Sequence, residues 1–291
     1  MSFRRFVSAI TITLLLQSGA MRAATTASCT FDTFSAPSGY SLSEVDGVSD
    51  DGTVVGQLLN NSTQQSMAFQ RSASGVITKY AAPQSSATWL YGRNGVGVNV
   101  GYYQASAYPG HLHGFLLQGS TFTAVNHPNA ANTWLFDVNL LGASVGSFSA
   151  SATVVKGFRL VNGTYTTIAY PNALTTYAMA INDNGEIVGS YASSIVSHGF
   201  VWNNKTFTTI DYPNSKYGTA LLGVNNSGVI VGNRLAADSA YGFIYENGTF
   251  KNIVYSGSKF TMAGGINNNG LISGQIYFTG GTSLGYTAVC H

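Results

Sequence analysis

A ten-residue segment of the form G/A-[IV]-N-x-x-G-x-[IV]-V-G recurs along this chain, and a fixed period restricts the fold before any single residue does. The copies occupy residues 47–56 (GVSDDGTVVG), 92–101 (GRNGVGVNVG), 137–146 (DVNLLGASVG), 180–189 (AINDNGEIVG), 223–232 (GVNNSGVIVG) and 265–274 (GINNNGLISG). Their final glycines are 45, 45, 43, 43 and 42 residues apart. Within one period the pattern is that of four short strands. In the fourth copy, 176–181 alternates, Asn182-Asp183-Asn184-Gly185 supplies turn chemistry and 186–191 is a second strand. A third strand follows at 198–202, Asn203-Asn204 turns tightly, and a fourth strand runs over 206–212 to Pro213. Four strands per repeat of this length make the blade of a β-propeller. The sequence therefore predicts an all-β, six-bladed β-propeller with four antiparallel strands per blade, one domain over 29–291.

The last copy has no fourth strand of its own, because the sequence stops at His291. A match is found at the other end, where Thr30-Phe31-Asp32-Thr33-Phe34-Ser35-Ala36-Pro37 parallels Thr206-Phe207-Thr208-Thr209-Ile210-Asp211-Tyr212-Pro213. The N-terminal strand is expected to close the last blade. In that register Cys29 aligns with Lys205 and Cys290 with Asn204, the flanks of the third-to-fourth turn. A disulfide between Cys29 and Cys290 would stand where a hairpin is missing. The rival reading, acylation of Cys29 as a lipoprotein, wants an aliphatic residue where Thr26 stands.

Residues 1–24 read as a secretory signal peptide: a basic start at Arg4 and Arg5, an apolar run over 6–16, then small residues up to Ala23 and Ala24. Ala20 best satisfies the cleavage rule, with Ala23 and Ala24 as alternatives. The apolar run is roughly half of the ~20 residues that span a bilayer, so no membrane span is expected. An oxidising compartment makes the two cysteines a bridge by default. Of the 13 Lys and Arg, the leader holds Arg4, Arg5 and Arg22, so a cut after Ala24 turns the formal charge of +2 into −1. With charged residues at 8% and no basic stripe, a nucleic-acid partner is excluded.

The segments His198-Gly199-Phe200-Val201-Trp202, residues 206–213 and residues 181–189 resemble the bacterial extracellular HAF repeat, named for a His-Ala-Phe core. The resemblance covers the whole mature chain and is best in the fourth and fifth copies. The earlier copies depart from it: Ser49 replaces the Asn, Leu140-Leu141 replace polar turn residues, and Met67 or Lys156 replaces the His. It implies secretion and a repeat fold, and carries no catalytic residues.

Candidate sites follow from the ring. The second-to-third connections are long and variable, at 58–66, 103–111, 148–155, 192–196, 235–240 and 277–283, and such loops on a rigid scaffold are where binding residues gather. Five residues before the Asn column stand Glu44, Trp89, Trp134, Tyr177, Ala220 and Met262, near the mouth these loops surround. Trp89, Trp134, Tyr177 and Glu44 are the candidate ligand-binding residues, since aromatic faces stack on sugars; the same rings would equally serve as packing between blades. The turn acids Asp50, Asp51 and Asp183 have calcium-type oxygens, but Val96, Leu140-Leu141 and Asn226-Ser227 stand at equivalent places. His111, His113 and His127 fall on the loop side of the second blade as a weak candidate metal site, with no metal or other cofactor otherwise implied. Glu44, Asp46 and Asp137 are the inner-strand acids available to a glycosidase, which needs two carboxylates facing one cleft. No Gly-x-Ser-x-Gly, His-Glu-x-x-His or P-loop pattern occurs. The expectation is a secreted, extracellular or periplasmic, monomeric and non-catalytic module that binds a glycan or surface partner. The alternative is a polysaccharide hydrolase or lyase on the same scaffold, and a purely structural matrix protein is a third reading.

Overall fold

A computed structural model describes residues 24–107, 110–128, 130–151 and 153–291. The expected signal peptide, apart from Ala24, lies outside the described residues. Those described form an all-β propeller arrangement of antiparallel meanders, with no helix among them. The fourth repeat shows the plan. Thr175–Ile181 pairs with Ile187–Ala192, which pairs with His198–Asn203, which pairs with Thr206–Ile210. Comparable meanders begin at Tyr40–Val48, Ser85–Arg93, Thr133–Val138 and Thr219–Val224. The meander beginning at Phe260–Ile266 continues through Leu271–Tyr277 to Ser283–Cys290, and its outer neighbour is Cys29–Phe34. The register runs from Cys29 opposite Cys290 to Phe34 opposite Gly285, and a disulfide joins the two cysteines. Just before it, Thr25–Thr26 adds in parallel to Thr249–Asn252, the outer strand of the preceding meander.

Two sequence columns explain why each repeat folds this way. The glycine closing every marker lies opposite the aromatic residue of the third strand, as Gly189 lies opposite Phe200. Phe69, Phe115, Phe158, Phe200, Phe243 and Tyr286 are all fully buried. A Cβ at Gly189 would fall inside contact of the Tyr177 carbonyl oxygen and 3.1 Å from the Phe200 ring, so only glycine leaves room for the ring. The apolar clusters then bridge neighbouring meanders. Ala180 and Val188 pack with Leu221, Val224, Ile230, Phe243 and Phe250 of the next. Phe34 and Leu271 pack with Leu42, Val45, Val48, Val54 and Phe69.

The Asn column makes the second link. Asn182 Oδ1 accepts the amide of Glu186 (3.0 Å), and Gly185 closes the turn at φ +81°, a left-handed conformation that glycine adopts without strain. Its Nδ2 donates to the Asn225 carbonyl of the next meander at 3.1 Å. The same bond runs from Asn94 to Asn139 (3.0 Å), Asn139 to Asn182 (3.1 Å), Asn225 to Asn267 (3.3 Å) and Asn267 to Ser49 (2.9 Å). These five asparagines are each only 5% exposed, so each amide gives the neighbouring buried carbonyl a second donor in place of water. Ser49 is too short to continue the series; its hydroxyl turns to Asp51 (2.6 Å), and Arg93 reaches Asp51 across the junction at 3.1 Å.

Asn182→Ala should leave the Glu186 amide without its side-chain acceptor and take one of two donors from the Asn225 carbonyl, at a cost of about 1–3 kcal/mol. Ser49→Asn should supply the missing bond and gain about 1 kcal/mol, or roughly 2–4 °C in melting temperature. Thermal denaturation of both variants checks the pair; a Ser49→Asn variant less stable than the parent would show that the junction does not admit the bond.

The disulfide closes a loop of 261 residues. In the chain-entropy model that restriction is worth about 5 kcal/mol. Cys29→Ser is therefore expected to lower the melting temperature by many degrees while the far-ultraviolet circular dichroism spectrum stays that of a β protein.

Candidate axial site

Each first strand carries a bulge, and the bulges decide what faces the axis. The register skips between Leu90 and Gly92, Leu135 and Asp137, Ala178 and Ala180, Leu221 and Gly223, and Ala263 and Gly265. In the first repeat it skips between Val45 and Val48. The extra residue leaves the ladder and its side chain is re-aimed. Asp46, Tyr91, Phe136, Met179, Leu222 and Gly264, one from each first strand, surround a common axial cavity.

The cavity changes character along the axis. At the Asn-turn end it is polar and bounded by Ser49, Asp50, Asn94, Asn139, Asn182 and Asn267. Toward the long loops it opens into a chamber of about 250 Å³, lined by Glu44, Asp46, Tyr91, Met179, Leu222, Asn233, Met262, Gln275 and Tyr277. Glu44 Oε2 accepts Gln57 Nε2 at 2.7 Å and the Tyr91 hydroxyl at 3.2 Å. Tyr91 stacks on Tyr102 with ring centroids 5.4 Å apart, and Trp89 lies against the same Tyr102 at 4.9 Å. Phe136 meets Tyr91 edge-on at 5.3 Å. Burial pushes the Tyr102 phenol up to about 12 and also raises that of Tyr91 well above the usual phenol range.

Asp46 lies behind Glu44. Its Oδ2 is sealed from solvent and accepts no hydrogen bond. Burial, reinforced by the neighbouring Glu44, drives its carboxyl well above the usual carboxylate range. Asp137 sits one position beyond the bulge, where other repeats have Gly92, Ala180, Gly223 and Gly265. Its two oxygens accept the amides of Val138 (2.8 Å) and Ile181 (2.9 Å). Burial outweighs these bonds and pushes its pKa up to about 7.

The residues singled out in sequence are thus placed unevenly. Glu44 lines the loop-side chamber, Asp46 lines both stretches of the axis, and Asp137 faces the inner stretch and the Asn-turn end. Trp89, Trp134, Tyr177, Ala220, Met262 and Glu44 do form one column, each opposite the residue after a marker glycine. Only Glu44 and Met262 of that column line the chamber; Trp89 packs on Tyr102, which stacks on the lining residue Tyr91, while Trp134 and Tyr177 are half-buried and do not line it. Tyr91, which stands on a bulge, and Gln57, Tyr102 and Tyr277, which stand on the second strands, escaped the sequence reading, which followed one column of the first strands.

Among the candidate metal ligands, His113 Nδ1 lies 3.1 Å from Asn126 Oδ1, and His127 Nδ1 lies 3.0 Å from the Pro128 carbonyl with its ring stacked on Phe148. His111 is exposed. Among the described residues no three His, Cys, Asp or Glu side chains converge as metal ligands. The turn acids are engaged between repeats. Asp50 accepts the backbone and side-chain amides of Asn268, both at 2.9 Å, and Asp183 accepts Leu140 N and Asn226 Nδ2.

No protein-family model matches the sequence, and no curated protein matches it. Solved structures similar in fold include the Aleuria aurantia lectin in complex with Fucα1-6GlcNAc, with a TM-score of 0.55 and 13% identity over 86% of this chain and 93% of that one. A putative gluconolactonase is similar with a TM-score of 0.54 and 12% identity, over 90% and 98% of the two chains. A catalytically inactive virginiamycin B lyase from Staphylococcus aureus, solved with quinupristin, has a TM-score of 0.50 and 10% identity over 90% and 100%. At such identities the likeness is one of fold, and the fold is the β-propeller.

The buried acids set a pH dependence. Because Asp137 holds its proton up to about pH 7 when folded and only to ~4 when unfolded, the folded chain binds more protons in that window, and stability falls as pH rises through it. Asp46 acts in the same direction. Asp51, although partly desolvated, is lowered by the Ser49 hydroxyl, the Thr53 amide and Arg93, so its contribution is lost only in acid. The melting temperature should drop between about pH 5 and pH 8, and Asp137→Asn should flatten part of that drop. An unchanged slope in the variant would contradict the assignment.

Proposed function

We propose that this chain is a secreted, six-bladed β-propeller that binds extracellular carbohydrate at the loop-side chamber of its axis. The observation that carries the reading is the convergence of Trp89, Tyr102 and Tyr91 with Glu44 and Gln57. A sugar ring has apolar faces and a hydroxyl rim, and it is matched by aromatic faces beside a carboxylate and an amide. The carbohydrate-bound lectin among its structural neighbours agrees with that scaffold being used for glycans.

Ring closure is supported by the Asn267 bond to Ser49, by the packing of Phe260–Ile266 beside Tyr40–Val48, and by the strand Cys29–Phe34 on the last meander. Secretion is supported by the leader pattern and the disulfide. Among the described residues no helix is long and apolar enough to cross a membrane. Ala27 is buried and donates to the Asn252 carbonyl at 2.9 Å, which favours cleavage before Thr25. The repeat resemblance to the HAF family belongs to the same reading.

One observation favours a second reading, a hydrolase or lyase acting on polysaccharide. Burial and the neighbouring Glu44 raise the pKa of Asp46, and a perturbed acid beside a second carboxyl is the kind of pair that acid–base catalysis uses. A glycan array with the mature protein should give binding that Trp89→Ala weakens by about tenfold or more. Polysaccharide cleavage that stops in Glu44→Gln would replace binding by catalysis, and silence in both assays would leave a structural protein.

A further inference from the structure

The loop-side chamber carries acids without a counter-charge. Glu44 and Asp46 enter it from one strand, and none of the residues lining it is a Lys, Arg or His. The nearest cation along the axis, Arg93, lines the inner stretch and is committed to Asp51 at 3.1 Å. Glu44 is held by two neutral donors, Gln57 and Tyr91, and Asp46 Oδ2 by none. A carboxyl oxygen with no partner at the wall of the chamber leaves acceptor capacity unused.

The remaining walls say which cation fits. A hard divalent ion takes six or more oxygen ligands, and two carboxylates among thioethers and phenyl faces do not provide them. Met179, Met262, Leu222, Tyr91 and Tyr277 instead offer soft, polarizable contacts to a positively charged organic group, and Tyr91 presents a ring to it. A chamber of about 250 Å³ has room for one ring-sized group rather than a long chain.

We infer that the sugar taken by the axial chamber is an amino sugar with a free, protonated amine, its ammonium held by Glu44 and Asp46 against the Tyr91 ring. This rests on the carbohydrate-binding reading and narrows it. The ammonium donates to Glu44 and completes the unpartnered side of Asp46, while the carbon face of the ring lies toward Tyr277 and the methionines. An N-acetyl group would remove the charge and place a methyl and a carbonyl where two acids lie.

The test compares glucosamine disaccharide with N,N′-diacetylchitobiose on the mature protein by titration calorimetry at 150 mM salt. The free amine should bind roughly tenfold or more tightly, the scale of a charge-assisted hydrogen bond. Glu44→Gln and Asp46→Asn should reduce that preference to about twofold or less, with the melting curve of each variant showing that it is folded; Glu44, being exposed, is the safer substitution. Equal binding of the two sugars, or preference for the acetylated one, would overturn the amine assignment and leave carbohydrate binding intact. Binding of other glycans on the array with neither amino sugar bound would do the same. Absence of any glycan binding would overturn the parent reading and this one with it.

Discussion

The side-chain amide of one asparagine in each of five repeats holds this architecture in order. Asn182 shapes its own turn through Oδ1 and reaches the next repeat through Nδ2, so the same residue fixes local geometry and the spacing between sheets. The acceptor is a buried backbone carbonyl in the following turn, which already accepts the amide of its own turn glycine and takes the asparagine as a second donor. Because this bond is neutral and local, five of the junctions between Asn turns are made by amides, and the Arg93–Asp51 ion pair serves the one where Ser49 stands. That is the physical reason a chain with 8% charged residues can arrange so many sheets around one axis. The second ring of contacts, Asp183 with Asn226 and Asp50 with Asn268, uses the adjacent turn position in the same way.

Much of the fold was legible in the sequence because its signals are local and repeated. The Asn-x-x-Gly turns, the glycine opposite each buried aromatic and the displaced fourth strand at Cys29–Phe34 all leave a mark at fixed spacing. The bulge at Asp46, Tyr91 and Phe136 leaves no such mark: it is one extra residue in a strand whose apolar alternation continues on either side. The counted column is real, but it passed over Tyr91 on the bulge and Tyr102 on the strand opposite. The amide clamp was hidden for another reason. The Asn column is obvious, but turn formation alone explains an asparagine there, and nothing in one repeat reveals what its second amide hydrogen reaches.

The acids of the axis differ because the fold differs around each of them. Asp137 occupies a position that is otherwise Gly or Ala, and two backbone amides compensate it. Asp46 stands on the bulge itself, where the ladder offers no amide to its side chain. Glu44, two residues earlier, meets Gln57 across the strand pair and Tyr91 from the next repeat. A single strand thereby supplies one satisfied and one unsatisfied acid to the same chamber.

The strand Cys29–Phe34 lies at the start of the chain and pairs with residues at its end. As the chain emerges from its N-terminal end, this strand therefore has no partner until almost the whole chain has followed. Local meanders can form as they appear, since their contacts close within a few tens of residues, but the sheet containing both cysteines cannot. Until then an apolar strand edge along Ser283–Cys290 and a free thiol at Cys29 coexist, the two features that invite pairing with the wrong chain. The Cys29–Cys290 disulfide, formed when an external oxidant takes two electrons from the paired thiols, thus serves as a record that the two ends have met, and a chain truncated anywhere before the last strand would leave Cys29 without its partner.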